Sequence, residues 1–497
     1  MHKLPIILVS IAFLITLAAC GGRQRTETEA YPVNGLTTGA SVGTASELPA
    51  TPLTLRILAP NTYYSAIRDA ERRMSRALGD VEFSIELTSY ELANVAEQHI
   101  RLQTMMMAGQ GYDLFFWNHH PLRAYAANGF LADFYTLMDN HPTTNREDFF
   151  TNVLQAYEYN GGLYAFPLTF GFEYVGINAA LPESIISRFT SRDSITIQEM
   201  LEIYNDLRSQ YVEEFGWLQF NSGHSMSLGM AYEVAAMRII DFIDFDNRVA
   251  HLNNAQFAGF LNEFYQAFSG QQLFDVMLRL FNSPSGTIVS DISRNNTFMS
   301  VNSHAAPMLA LFPHEDPYFL NFIPLASDDG RLIINPQMIY GGHGMMFGTT
   351  WAKLAAPAFG NEHLAWEFIQ HLIPAMLNHV APNPGLPGFQ SFGHNSLVTP
   401  ITRRDFIPHA TRVLNNASRM DIVPLVGLTD GGSRAQAIDN AIAVLAELNE
   451  KPVVVTEGFN LPSSILVDTL TSFLLGATTA EATAQEIHNR ISLWLIE

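Results

Sequence analysis

The chain reads as an α/β protein built from two or more lobes. Three observations predict this. At 497 residues it exceeds what one ordinary core organises. Its composition, 47% hydrophobic and 15% charged, is that of a folded rather than a disordered chain. Its first ordered stretch alternates strand, helix, strand, helix, strand, the pattern of a layer with a parallel sheet.

Leu53-Thr54-Leu55-Arg56-Ile57 alternates as a strand does. Pro60-Asn61-Thr62-Tyr63-Tyr64 is predicted as a loop. Ile67, Ala70, Met74, Ala77 and Leu78 share one helical face, and Gly79 is placed to end that helix. Val81, Phe83, Ile85 and Leu87 alternate with polar residues as a second strand. Leu92, Val95, Ala96, Leu102 and Met106 mark a second helix that stops near Gly109. Tyr112 to Trp117 is a third strand, and Leu114-Phe115-Phe116 suits a parallel sheet covered on both faces. Residues 361–372 predict a helix with Leu364, Ala365, Phe368 and Leu372 inward and Pro374 closing it. Thr478 and Glu481 have capping-box spacing, and Ala480, Ala484, Ile487, Ile491 and Trp494 then recur at helical intervals.

Ahead of the ordered part, Lys3 precedes an apolar run from Leu4 to Leu17, too short to cross a bilayer stably. The run ends in Leu17-Ala18-Ala19-Cys20, and Cys20 is the only cysteine. This end resembles the lipobox of bacterial lipoproteins, in which the cysteine is lipidated and becomes the new N-terminus. The resemblance implies a lipoprotein signal peptide at residues 1–20 and a protein held by its lipid at the outer face of the cytoplasmic membrane, extracellular or periplasmic. Residues 21–52, rich in Gly, Thr, Ser, Ala, Pro and Glu, are expected to be a flexible stalk. With a single thiol no intrachain disulfide is expected, and stability must come from the core.

The formal charge of −21 argues against nucleic acid or an anionic lipid surface as ligand. No Gly-x-Ser-x-Gly elbow, Gly-x-x-x-x-Gly-Lys-Ser/Thr loop or His-Glu-x-x-His helix is present. No metal spacing stands out among the histidines, and no cofactor motif is found. Carboxylate pairs for glycoside hydrolysis leave no such motif, because their separation is a three-dimensional quantity.

Several segments together resemble one family. Met107-Ala108-Gly109-Gln110-Gly111-Tyr112-Asp113-Leu114-Phe115, Gly129-Phe130-Leu131-Ala132-Asp133-Phe134 and Gly161-Gly162-Leu163-Tyr164-Ala165-Phe166-Pro167 are three. Gly176-Ile177-Asn178, Ala365-Trp366-Glu367-Phe368-Ile369 and Gly476-Ala477-Thr478-Thr479-Ala480-Glu481-Ala482 follow in the family's order. They resemble the extracellular solute-binding proteins of bacterial ABC importers, the group that includes maltose- and oligosaccharide-binding proteins. The match is thin at about 180–295 and 380–455, where the family's solute-facing parts vary most.

The resemblance implies a two-lobed periplasmic-binding-protein-like (type II) fold with a hinge and an inter-lobe cleft. Lobe I would comprise residues 53–168 and about 340–455, lobe II about 170–338 and about 456–497. The chain would cross near Phe166–Phe172 and return near Tyr340–Gly344. The implied function is capture of a small solute, a sugar or oligosaccharide, for delivery to membrane permease subunits of an importer, by a monomer. A surface carbohydrate-active enzyme and a ligand sensor without transport are the competing readings.

Open α/β sheets bind ligands beyond the carboxyl ends of their strands. Sugar rings need flat aromatic surfaces and a few directional polar groups. Asn61, Tyr63 and Tyr64 follow the first strand, and Trp117, Asn118 and His119 close the third. Phe170, Phe172, Glu173 and Tyr174 lie at the expected crossing, His304 after a strand-like run and His343 at the return. All twelve are candidate ligand contacts.

Overall fold

The structure is a computed structural model. It describes residues 53–90, 95–108, 111–117, 122–178, 183–211, 219–221, 227–245, 247–269, 297–301, 320–335, 353–355, 361–379, 399–419, 434–455 and 463–496. All of these belong to one compact unit. Cys20, the stalk and the return crossing at 340–344 lie outside the described residues.

The strands in chain order begin with β1 Leu53–Pro60, β2 Phe83–Tyr90, β3 Leu114–Trp117, β4 Glu158–Tyr159, β5 Gly162–Leu163 and β6 Phe166–Pro167. Next come β7 Thr169–Phe172, β8 Tyr174–Asn178, β9 Ile195–Thr196, β10 Gln219–Asn221, β11 Ile243–Asp244 and β12 Val249–Ala250. The last six are β13 Thr297–Val301, β14 Leu320–Ala326, β15 Leu332–Asn335, β16 Lys353–Ala355, β17 Thr399–Pro400 and β18 Val453–Val455.

The first sheet has the order β2-β1-β3-β16-β6. β1 pairs in parallel with β2 and with β3, as the alternating sequence predicts. The intervening Tyr64–Leu78 helix buries Ala66, Ile67, Ala70 and Met74. Leu78 packs beside them, in line with Ala70 and Met74 at four-residue spacing, whereas Ala77 is exposed. Gly79 caps it at φ 65°, a left-handed conformation that a side chain would strain. The predicted loop at 60–64 is shorter than expected: Pro60 completes β1, Asn61–Tyr63 is a 3-10 turn, and Tyr64 opens the helix. The second helix, Val95–Met107, buries Leu102 and Met106. Leu92 lies outside the described residues.

A larger nine-stranded sheet has β10-β13-β8-β14-β15-β7-β17 as its main path, with β18 on β15 and β9 on β14. The chain passes from β6, at the edge of the first sheet, directly into β7 and β8.

Buried side chains form two large clusters. One gathers β1–β3, the Glu362–His379 helix and the aromatic group Phe134, Phe149, Phe166 and Trp366. The other gathers the helices Glu183–Thr190, Ile197–Tyr211, Ser227–Ile239, Ala255–Phe268, Ser463–Leu474 and Ala480–Ile496. The strands between them alternate. Phe172, Tyr174, Leu332, Ile334, Val453 and Val455 face the first cluster. Val175, Ile177, Ile323, Leu325 and Ile333 face the second. Period-two side-chain geometry thus lets one set of strands serve two cores.

Two sequence expectations are corrected at helix ends. The Glu362–His379 helix runs through Pro374 instead of stopping there. Proline removes one helical hydrogen bond, at a cost of about 3 kcal/mol. Continued burial of Ala375, Met376 and Leu377 offsets that loss. At the chain's end, the cap is Thr479 rather than Thr478: Thr479 Oγ1 accepts from Ala482 N at 3.2 Å, and its carbonyl accepts from Thr483 N at 2.9 Å. Thr478 Oγ1 pairs with Thr483 Oγ1 at 2.9 Å. The inward face is as predicted, with Ala480, Ala484, Ile487 and Ile491 buried and Trp494 packed against them.

Candidate functional site

The carboxyl end of β1 carries the first group of expected contacts. A 3-10 turn rotates successive side chains by about 120°, so neighbours point different ways. Tyr63 turns inward, is 1% exposed and stacks on Phe116 at 4.3 Å with an 18° interplanar angle. Asn61 and Tyr64 stay outside, and Tyr64 is 52% exposed. The Arg68 guanidinium lies 5.3 Å from the Tyr64 ring centre and donates to Glu71 Oε2 at 2.8 Å. A cation over the ring holds Tyr64 at the surface. Tyr63 is therefore a core residue, while Asn61 and Tyr64 are open to a solute.

Trp117 ends β3, where it pairs with Lys353 of β16. Its position at a strand's carboxyl end is as expected. Asn118, His119, His304 and His343 lie outside the described residues.

The crossing residues are all buried. Phe170, Phe172 and Tyr174 form a ladder with Phe150, with ring centres 5.6, 5.9 and 6.3 Å apart and edge-to-face angles of 72° to 78°. Edge-to-face contact is a favoured aromatic geometry, so this ladder is a packed wall. Glu173 is 3% exposed. Its N–H donates to the Ile333 carbonyl at 2.8 Å, and its carbonyl accepts from Leu325 N at 2.8 Å. Its backbone thus ties β7 and β8 to both β15 and β14. The expectation that these four side chains present themselves to a ligand is corrected: sheet and cluster cover both faces of the strand. Burial pushes the Tyr174 phenol pKa up.

A cavity of about 490 Å³ lies elsewhere, lined by Thr196, Gln198, Arg238, Gln256, Phe260, Glu263 and Asp328 among others. Arg238 is 2% exposed, and its Nη1 donates to Asp241 Oδ2 at 2.5 Å and Asp328 Oδ1 at 2.7 Å. Its guanidinium also lies 4.8 Å from the Phe242 ring centre. Burial raises the Asp241 carboxyl to about 6, with the Asp328 charge adding to the rise and Arg238 opposing it. Two carboxylates already neutralise Arg238, so the group is not an anion receptor. Sequence reasoning missed this cavity. Its one legible signal is Arg238 inside the apolar run Ala235-Ala236-Met237-Arg238-Ile239-Ile240.

No family model matches the chain, and no curated relative matches it. Solved structures do. A putative oligosaccharide periplasmic-binding protein from Synechococcus sp. MITs9220 superposes with a TM-score of 0.53 at 15% identity, covering 89% of this chain and 99% of that one. The sugar-binding protein MalE from Xanthomonas citri gives 0.52 at 14%, covering 89% and 97%. The ABC substrate-binding protein Lmo0181 from Listeria monocytogenes, solved in complex with cycloalternan, gives 0.50 at 13%, covering 89% and 99%. The fold is the two-lobed periplasmic-binding-protein-like fold of extracellular solute-binding proteins. Among the described residues no helix is long and apolar enough to cross a membrane.

Proposed function

We propose that the chain is a lipid-anchored extracellular solute-binding protein that captures a sugar or oligosaccharide between two lobes and delivers it to an ABC importer. The observation that carries this reading is the likeness in fold to solute-binding proteins over 89% of the chain, with the chain passing from the first sheet at β6 into the nine-stranded sheet at β7. In a two-lobed fold joined by a few crossing segments, a ligand touching both lobes shifts the population toward the closed form. Similarity to a putative oligosaccharide periplasmic-binding protein, a sugar-binding protein and a protein solved with cycloalternan supports a carbohydrate as solute.

In this proposal lobe I takes residues 53–168 and about 340–455, and lobe II takes about 170–338 and about 456–497. Of the residues in the two clusters, those of 55–168 and 365–410 fall in the first and those of 185–268 and 466–495 in the second, in line with that assignment, while Phe170, Phe172, Tyr174, Ala326, Leu332 and Ile334 pack with the first. Asn61, Tyr64, Trp117, Asn118, His119, His304 and His343 are the contacts carried forward. The buried ladder Phe170, Phe172 and Tyr174 stiffens the crossing. Cys20 carries the lipid, and residues 21–52 are the stalk.

A thermal-shift screen of mono- and oligosaccharides, with peptides and polyamines alongside, tests the solute class. A ligand bound only by the folded state raises the melting temperature by mass action. A rise with a carbohydrate supports the reading, and a rise confined to peptides or polyamines overturns it.

A further inference from the structure

Gln198, Arg238, Glu263 and Asp328 line the cavity of about 490 Å³, which opens beside the helices Ile197–Tyr211 and Ala255–Phe268 and the turn after β14. Asn61, Tyr64 and Trp117 do not line it. Arg238 is 2% exposed. Asp241 and Asp328 both take its Nη1, yet its Nε–H is buried with no acceptor among the described residues. Gln198 Nε2 donates to Glu202 Oε1 at 2.7 Å, while Gln198 Oε1 is buried and accepts from no donor among the described residues. Buried polar groups are paired as a rule, because an unpaired one loses its water and gains nothing in return. One orphaned donor and one orphaned acceptor on the side chains of a single cavity point to a partner inside it.

Glu263 adds a charge to the same lining. It is half-buried, and Asn205 Nδ2 donates to its Oε2 at 2.8 Å and to its carbonyl at 2.9 Å. Among the described residues no cation pairs with its carboxylate, and its Oε1 accepts no bond. One guanidinium therefore stands against three carboxylates, those of Asp241, Asp328 and Glu263, and the field at the cavity is negative. Such a field repels an anion and attracts a cation. A bare cation leaves Arg238 Nε–H unmet, and an apolar group leaves both orphans unmet. Water satisfies the orphans but brings no charge for Glu263.

We propose that this cavity binds a compact hydroxylated amine, an amino sugar or amino alcohol, with its ammonium group on Glu263 and Gln198 Oε1 and a hydroxyl oxygen accepting from Arg238 Nε–H. An ammonium group donates three N–H bonds and accepts none, which matches a carboxylate and an amide oxygen. Its bond to Glu263 is charge-assisted and carries most of the affinity. The hydroxyl supplies the one acceptor that the orphaned guanidinium N–H requires, and it donates in turn to a neighbouring carboxylate such as Asp328. The site lies apart from the inter-lobe cleft and does not depend on which solute the cleft holds.

Titration calorimetry of glucosamine and serinol hydrochlorides against the full chain in detergent, near neutral pH, tests the site. At least one amine should bind one-to-one, and added sodium chloride should weaken it. Glycerol, which is serinol without the amine, should bind at least about tenfold more weakly than serinol. Glu263→Gln keeps the shape and an acceptor for Asn205 but removes the charge; it should weaken amine binding at least about tenfold and remove the salt dependence. Arg238→Lys keeps the positive charge without the Nε–H and should weaken binding severalfold. Circular dichroism and the unfolding midpoint report whether the variants fold; if Arg238→Lys does not, Gln198→Met removes the orphaned acceptor at similar volume and should weaken binding in its place. Three results overturn the proposal: no binding of either amine, glycerol binding as tightly as serinol, or amine affinity unchanged in folded Glu263→Gln. Glucosamine binding that survives Glu263→Gln unchanged sinks this site while leaving the reading of a sugar in the cleft intact.

Discussion

Ile333 and Ile334 are consecutive in the chain and buried in different cores. Their backbones lie in one strand, β15, paired through Ile333 with Val454 and through Ile334 with both Val455 and Phe172. Each side chain is a fully enclosed aliphatic group. Ile333→Ala and Ile334→Ala should therefore each lower stability by about 2–5 kcal/mol. Urea unfolding should show each as a shift of the midpoint with little change in slope. A strongly reduced slope in either variant would mean that one cluster melts ahead of the other.

Asp241 gives the molecule a pH dependence of known sign. Its carboxyl is raised from 3.8 to about 6 in the folded state, first by burial. The folded protein therefore holds the proton more tightly than the unfolded chain. This contribution is fully present below about pH 4 and is lost as the pH rises through about 6. For this group alone, the shift corresponds to stability on the order of 2–3 kcal/mol. Asp241→Asn should flatten the stability profile between pH 4 and 6, measured by urea midpoints across that range. A profile identical to the parent's would show that another group titrates there.

Tyr63 and Tyr64 separate folding from binding. Tyr63→Ala removes a ring stacked on Phe116 and should cost about 3–5 kcal/mol of stability. Tyr64→Ala changes an exposed residue and should leave stability within about 0.5 kcal/mol. If Tyr64 meets the solute, its loss should weaken binding by roughly 1–3 kcal/mol. Unfolding midpoint and ligand affinity on the same two variants check all three statements.

The corrected cap is open to a direct comparison. Thr479→Ala should destabilise the Ala480–Ile496 helix by about 0.5–2 kcal/mol. Thr478→Ala should cost less, since its hydroxyl pairs only with another hydroxyl. Thermal unfolding of both variants ranks them, and a larger loss at Thr478 would restore the original capping-box assignment.

Much of the fold was legible because strands and amphipathic helices advertise their period. β1, β2 and β3 and the helix between the first two were readable from alternation and from Ile67, Ala70 and Met74 alone. Ambiguity entered where local signals repeat. Thr478 and Thr479 are identical neighbours, and only the backbone register tells which caps. Pro374 is a local stop signal overridden by tertiary burial. The site was less legible, for a geometric reason. Adjacent residues such as Tyr63 and Tyr64 have the same chemistry, and a turn of unknown type decides which ring enters the core. Phe170, Phe172 and Tyr174 share one strand face, but parity does not say whether that face meets solvent or a second layer. The Arg238 cavity draws on residues from 196 to 328, a convergence with no trace in local sequence.

The strand that serves two cores also sets which changes in chain length the protein survives. One residue inserted between Leu332 and Ile333 would send every later side chain of β15 to the opposite core, exchanging the partners of Ile333 and Ile334 at a stroke. The turn before it has no such double allegiance. Ser327 N donates to the Arg331 carbonyl at 2.9 Å, Gly330 N to the Ser327 carbonyl at 2.9 Å, and Gly330 sits at φ 85°. Lengthening that turn leaves both parities intact. Among natural variants of this chain, insertions and deletions should accumulate at 328–330 and stop short of β15, a boundary drawn by side-chain direction rather than by exposure or by any contact with a solute.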